Sequence, residues 1–314
     1  MLLFDCFVSF ASFACYFGYA RCRWMVRVFS FFAEFMTRTL FKLQIAGVSL
    51  CIGLAAGGAF AQDSDRPVPM QHIQNLRDLG GLVGADGKVI APHRLYRSGN
   101  PALGTAGDFE RLDAMRLDAV VDFRADSEKT SAEAAFAERF PWRADPVLAG
   151  DLSPAAIVPM LKRSTPAQMH AFMVGIYRQF PVDYQEQFTR FLKRAEADQT
   201  LLFHCTAGKD RTGFATVLLL SALGVDRATV VANYLESNRV NAGYNALAIA
   251  QLREIGVEPA VALPLLEVDA DYIGAAMQVI DARYGGMQRY LRDVLHVDVD
   301  LIRRNYLLGR GVAF

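Results

Sequence analysis

One continuous stretch does most to limit the fold, Thr200–Gly224, which reads TLLFHCTAGKDRTGFATVLLLSALG. Its short apolar run, Leu201 to Phe203, predicts a strand. The chain then passes through a loop containing Gly208 and enters a strongly apolar helix that Gly224 stops. A strand delivered straight into the first turn of a helix presents backbone N–H groups and the positive helix end to the loop. That makes the loop an anion site, and Cys205, Lys209, Asp210 and Arg211 all lie in it. The same field favours a thiolate, and Arg211 adds a full positive charge. The expectation is a Cys205 more acidic than a free thiol.

Five residues separate Cys205 from Arg211, and Thr212 follows directly. The planar Arg211 guanidinium can fork two oxygens of a phosphoryl group while the backbone of Thr206, Ala207 and Gly208 holds the others. Cys205 would then lie beneath the phosphorus for in-line attack. The Thr212 hydroxyl is expected to donate to the thiolate and later to the departing sulfur. His204, on the buried side, is expected to order the loop rather than transfer protons. Lys209 places a second cation at the rim, which favours multiply phosphorylated substrates yet suits any phosphomonoester dianion. Arg97 and Arg124 follow strands and are candidate substrate contacts, although Asp122 and Arg124 can equally be a structural pair.

Composition divides the chain near residue 61. Met1–Ala61 takes five of the 33 basic and two of the 33 acidic residues, leaving the rest at a net charge of about −3. That balance offers nucleic acid no basic surface. Within residues 36–61, Arg38 and Lys42, an apolar stretch from Leu43 to about Ala56, and Ala59-Phe60-Ala61 have the order of a secretory signal. Cleavage after Ala61 is expected, with residues 1–35 an upstream extension and the product periplasmic or secreted. The alternative is an uncleaved membrane anchor, since Leu43–Ala61 approaches spanning length. Four of the five cysteines, Cys6, Cys15, Cys22 and Cys51, lie in this leader. Cys205 is then the one thiol of residues 62–314, with no partner for an internal disulfide.

Residues 62–314 are enough for one domain with a sizeable core. GGLVGADGKVIAPHRLYRSG suggests two short strands around a Gly-Ala-Asp-Gly turn, with LYRSG the second, and Ala119–Phe123 reads as a buried strand. Helical periodicity marks residues 106–116, 166–180, 182–198 and 210–224, with a further helix opening at Asp226 and others at 245–256, 269–285 and 286–297. Strands separated by helices predict an α/β domain, its central sheet mostly parallel and flanked by helices, with a helical C-terminal third.

HCTAGKDRTG (His204–Gly213) resembles the H-C-x5-R-[ST] signature of the cysteine-based protein tyrosine phosphatase superfamily. With NLRDLGG (Asn75–Gly81), LYRSG (Leu95–Gly99), VVDFRAD (Val120–Asp126) and YLESN (Tyr234–Asn238), it is similar to the bacterial atypical tyrosine/lipid phosphatases. The resemblance runs from about Asn75 into the C-terminal helices. It implies Cys205 as nucleophile, Arg211 as phosphate ligand, and activity on phosphotyrosine proteins, phosphoinositides or both. That family similarly carries Asp just before Arg, and an acid in the cradle can reach the leaving oxygen. Asp210 is therefore favoured as general acid over Asp145 and Asp126, with Asp151 the leading upstream alternative. Asn75, Arg77 and Asp78 can be loop ligands or simple turn formers.

Two other classes fit poorly. The nucleotide P-loop needs Ser or Thr after Lys209, where Asp210 stands. A rhodanese-type sulfurtransferase would not need the Arg-Thr pair. His72, His93, His170 and His296 lack metal-ligand spacing, so neither metal nor cofactor is expected. A non-catalytic phosphate-binding module and an inositol polyphosphate phosphatase remain the alternatives, and oligomeric state is not legible.

Overall fold

A sheet covered on both faces has no polar side, so its strands read as unbroken apolar runs rather than alternating ones. The computed structural model describes residues 66–148 and 154–309. The expected leader and signal, and Asp151, lie outside them. The strands are β1 (Arg66–Pro67), β2 (Arg77–Asp78), β3 (Val89–Ile90), β4 (Leu95–Ser98), β5 (Ala119–Asp122), β6 (Trp142–Ala144), β7 (Leu201–His204) and β8 (Leu307–Leu308). The helices are α1 (Ala106–Ala114), α2 (Ala132–Arg139), α3 (Pro154–Arg163), α4 (Pro166–Asp183), α5 (Gln185–Glu196), α6 (Arg211–Ala222), α7 (Arg227–Val240), α8 (Ala242–Glu254), α9 (Pro259–Leu266), α10 (Ala270–Tyr284) and α11 (Val299–Tyr306). A short turn, Met287–Arg289, and a π-helical segment, Tyr290–Val294, join the last two.

The main sheet has the order β1-β2-β4-β7-β5-β6. Strands β4, β7, β5 and β6 are parallel, and β1 and β2 close one edge in antiparallel fashion. Alternate residues of the central strands supply two cores. Leu95, Ala119, Val121, Phe123, Leu201, Phe203 and Cys205 pack with residues of α4, α5, α6 and α10. Tyr96, Val120 and Leu202 pack instead with Leu112, Phe136 and Phe140 from the side of α1 and α2. This is the period of two expected of strands, with both faces buried.

Helix α6 is buried along nearly its whole length, from Arg211 through Leu220 and again at Ala222. It runs from the carboxyl end of β7 through the middle of the larger core, where all-round hydrophobicity is required. Asp226 caps α7, accepting from the Thr229 amide. The C-terminal third is helical apart from β8, and among the described residues no helix is long and apolar enough to cross a membrane.

The expected hairpin differs in its pairing. The turn is present at Ala85–Gly87, with Asp86 at φ 57°. Val83 bridges Val89, but β3 goes on to pair with β8, whereas LYRSG forms β4 between β2 and β7. Turn residues specify reversal of the chain, not the partner of the strand that follows. Helices α2, α3 and α9 were not legible, and Pro159 and Pro264 lie inside two of them.

Candidate active site

The loop Cys205–Asp210 leaves the carboxyl end of β7, between β4 and β5, where open parallel sheets place their ligands. Its carbonyls are held from outside. Gln74 Nε2 and the Asn100 amide donate to Thr206 O, at 3.3 and 3.0 Å. Asn75 and Asn241 each donate to Ala207 O at 3.1 Å. Asn75 also donates to Gly208 O at 2.9 Å, and Arg97 Nη2 reaches the same oxygen at 2.8 Å. No peptide here is cis. Across a trans peptide the C=O and the next N–H point in opposite directions. Carbonyls drawn outward therefore turn the amides of Ala207, Gly208 and Lys209 inward, forming an anion cradle. Gly208 makes the turn at φ +68°, and a Cβ there would stand 2.3 Å from Ser98 O. Only glycine fits on either count.

Arg211 opens α6 and is 4% exposed. Its Nη1 and Nη2 meet the two Glu128 carboxylate oxygens at 2.6 and 2.7 Å. Thr206 Oγ1 donates to the same carboxylate at 2.7 Å. Burial alone would raise the Glu128 carboxyl, but Arg211, Thr206 and the Ala125 amide bring it down to about 2. The pairing in turn keeps buried Arg211 charged above its ordinary range, against the effect of burial. Glu128 thus takes one edge of the fork. The bonds of Arg211 among the described residues all run through Nη1 and Nη2, none through Nε.

Asp210 occupies the N-cap position of α6, yet its side chain makes no capping bond. The carboxylate accepts instead from Tyr177 Oη at 2.7 Å and from Lys209 Nζ at 2.9 and 2.8 Å to its two oxygens. Tyr177 accepts from Tyr234 Oη at 2.8 Å. Lys209 is itself mostly covered and lies 3.5 Å from Glu267 O. A free cysteine, a braced arginine and a carboxyl group with an adjacent ammonium therefore lie together between β7 and the first turn of α6.

The sequence profile of the tyrosine phosphatase family matches residues 68–308. The chain belongs to that family. A Cupriavidus necator protein, named provisionally as a tyrosine-protein phosphatase, is 56% identical over 237 residues, 76% of this chain and 87% of its own length. The triple specificity protein phosphatase PtpB of Mycobacterium tuberculosis is 38% identical over 136 residues, 39% of this chain and 49% of its own. Among solved structures, P. aeruginosa TpbA in complex with phosphotyrosine covers 69% of this chain and 88% of its own, at 17% identity and a TM-score of 0.29. The protein is a tyrosine-phosphatase-like enzyme of α/β fold acting on phosphorylated substrates.

Three residues of the phosphatase lie differently from expectation. Arg97, fully buried, holds Gly208 O, Asn233 Oδ1 and Ser237 Oγ from behind the loop and does not line the cradle. Arg124 is likewise buried, paired with Asp122 and with Glu133 at 2.8 Å each, the structural alternative. Arg97 thus acts on a loop carbonyl turned away from the cradle, whereas Arg124 is taken up by Asp122 and Glu133. Thr212 Oγ1 is buried without a hydrogen bond among the described residues, so it does not donate to the sulfur. Of the other carboxylates, Asp145 is bound by Arg190 at 2.6 Å, and Asp126 is exposed beside Lys129.

His204 Nδ1 lies 3.3 Å from Cys205 O and 3.8 Å from Asp122. Burial outweighs the pull of Asp122 and lowers the ring to about 4, so it is neutral at pH 7. Of the motif residues outside the loop, Asn75 and Arg97 hold its carbonyls directly, while Arg77 and Asn238 bond elements beside it. Asn75 sits in the left-handed region at φ 57° to reach the loop carbonyls, and Arg77 bonds Asn233 O and Ser237 Oγ. Asn238 exchanges two hydrogen bonds with Val268, next to the Glu267 carbonyl that faces Lys209. Glu128, Tyr177 and Tyr234 in these roles were missed, since no local spacing announces them. His170, Asp269 and Asp271 gather within 4.8 Å, a long-range grouping that is largely exposed, and Asp269 caps α10.

Proposed function

We propose that the protein is an exported, metal-independent phosphatase that cleaves phosphotyrosine and phosphoinositide esters through a cysteinyl-phosphate. The observation that carries the reading is the cradle itself, with its carbonyls held outward, Cys205 at its start and Arg211 braced by Glu128 at its end. In the first step the Cys205 thiolate attacks phosphorus in line, an S–P bond forms, and the bond to the leaving oxygen breaks. Asp210 gives its proton to that oxygen. In the second step water attacks phosphorus, Asp210 takes the water proton back, and the S–P bond breaks to release inorganic phosphate. Arg211 and the loop amides stabilise the equatorial oxygens in both steps. The proton balance closes without an added cofactor. Lys209 beside Asp210 suits headgroups that carry further phosphates. Residues 36–61 act as a cleaved signal, and a single remaining thiol, used for chemistry, fits an oxidising compartment.

Purified protein should release phosphate from an aryl phosphate in a vanadate-sensitive and EDTA-insensitive manner. Cys205→Ser should lower turnover by a factor on the order of 10^6 while still capturing substrate. Turnover of Cys205→Ser at the wild-type rate would refute the scheme. A panel of phosphotyrosine and phosphoserine peptides, phosphoinositides and soluble inositol phosphates assigns the substrate. Fractionation of cells expressing the chain with and without residues 36–61 tests export.

A further inference from the structure

The larger core contains two phenols that its packing does not explain. Tyr177 on α4 and Tyr234 on α7 are both 0% exposed, surrounded by Phe180, Tyr272 and residues of α6. Two phenylalanines would fill the same volume without two hydroxyls to satisfy. Instead the hydroxyls form a directed chain. Tyr234 Oη donates to Tyr177 Oη at 2.8 Å, and Tyr177 Oη donates to Asp210 Oδ1 at 2.7 Å. The direction is dictated by its end, because an ionised carboxylate only accepts. Tyr234 is also pressed against the first turn of α6, where a Cβ on Gly213 would come within 2.9 Å of its ring. The chain is therefore locked to the same turn that carries Asp210.

We infer that Tyr177, backed by Tyr234, is a positioning residue for Asp210. It pins Oδ1 from the core side so that Oδ2 carries the proton given to the leaving oxygen. The inference rests on Asp210 as the acid, as proposed above. An O–H donated to Oδ1 makes that oxygen the poorer proton carrier, and it fixes the carboxyl plane from a rigid helix. Lys209 meets both oxygens, at 2.9 and 2.8 Å, but it is a cation in the loop itself, for which an incoming phosphate competes. Only the phenol contact is independent of substrate. Burial first, and then the Asp210 charge, push both phenols well above their ordinary range. They stay protonated donors throughout the working pH range and carry no proton themselves.

The test compares kcat of the full chain on p-nitrophenyl phosphate, a good leaving group, and phenyl phosphate, a poor one. Tyr177→Phe should lose about tenfold on phenyl phosphate and less than about twofold on p-nitrophenyl phosphate. KM and vanadate inhibition should not move, which marks an intact cradle. Tyr234→Phe should show the same pattern more weakly, and the double variant should match Tyr177→Phe alone. Equal losses on both substrates, or none on either, would overturn the inference. Asp210→Asn, measured in parallel, separates the two levels. Leaving-group dependence in Asp210→Asn but not in Tyr177→Phe overturns the tyrosine role alone, whereas its absence from Asp210→Asn overturns the acid assignment and this inference together.

Discussion

The two sides of the cradle are held in opposite ways. On the phosphate side, Arg211 is braced by a carboxylate, Glu128, itself fixed by Thr206 and the Ala125 amide. On the side proposed for the leaving group, Asp210 is braced by a neutral phenol, with Lys209 alongside. A group that must stay charged gains from a permanent counter-charge. Asp210, proposed to give up and regain a proton, meets on Oδ1 a neutral donor that never titrates, in addition to the Lys209 ammonium that meets both of its oxygens. Helices α4 and α7 supply the neutral hydroxyls, and the turn Asp126–Glu128 after β5 supplies the charged acceptor.

That contrast can be broken experimentally. The largest effect after that of Cys205→Ser is expected for Arg211→Lys, which cannot grip Glu128 and the ester together. Its kcat/KM on p-nitrophenyl phosphate should fall by about 10^2 to 10^3. Gly208→Ala comes next, since it disturbs both sides through the loop between them. The strain at φ +68° and the 2.3 Å approach to Ser98 O should cost roughly 1–3 kcal/mol or more, read as a lowered denaturation midpoint together with lost activity. Glu128→Gln should cost about tenfold in kcat/KM, equally for good and poor leaving groups, because it loosens the phosphate grip and not the acid. A leaving-group dependence in Glu128→Gln would erase the distinction between the two sides.

The smallest expected effect is one of pH. Glu128 and Glu133 are both lowered to about 2, against ordinary values of 4.5. For carboxyls whose folded value is depressed, the stabilisation is complete above the ordinary value and is lost as pH falls toward the folded one. Urea midpoints should therefore drop between about pH 4.5 and 2, and Glu128→Gln should make that slope shallower. An unchanged slope in the variant would mean that the Arg211 pairing contributes nothing to folding.

Much of this site was legible because its chemistry lies in one short run of chain. Cys205, Lys209, Asp210 and Arg211 follow from a strand, a glycine turn and a helix start, features set by local sterics and hydrogen bonding. The parallel centre of the sheet followed equally from uninterrupted apolar runs at Ala119–Phe123 and Leu201–Phe203. Arg97 and Arg124 were misplaced for one reason. Position at a strand end indicates nearness to the loop but not the partners the side chain takes: Arg97 is drawn to Gly208 O, Asn233 and Ser237, and Arg124 to Asp122 and Glu133.

The amino-acid sequence by itself determined the strand, glycine turn and helix start that carry Cys205 to Arg211, and the α/β architecture that presents them, since each depends on residues within a few positions of one another. Only the tertiary structure decided what holds the loop in its working shape. Asn75 reaches Gly208 across 133 residues, Glu128 reaches Arg211 across 83, and Tyr177 reaches Asp210 across 33. Contacts at such separations exist only after the sheet and its helices have packed, and no spacing along the chain encodes them.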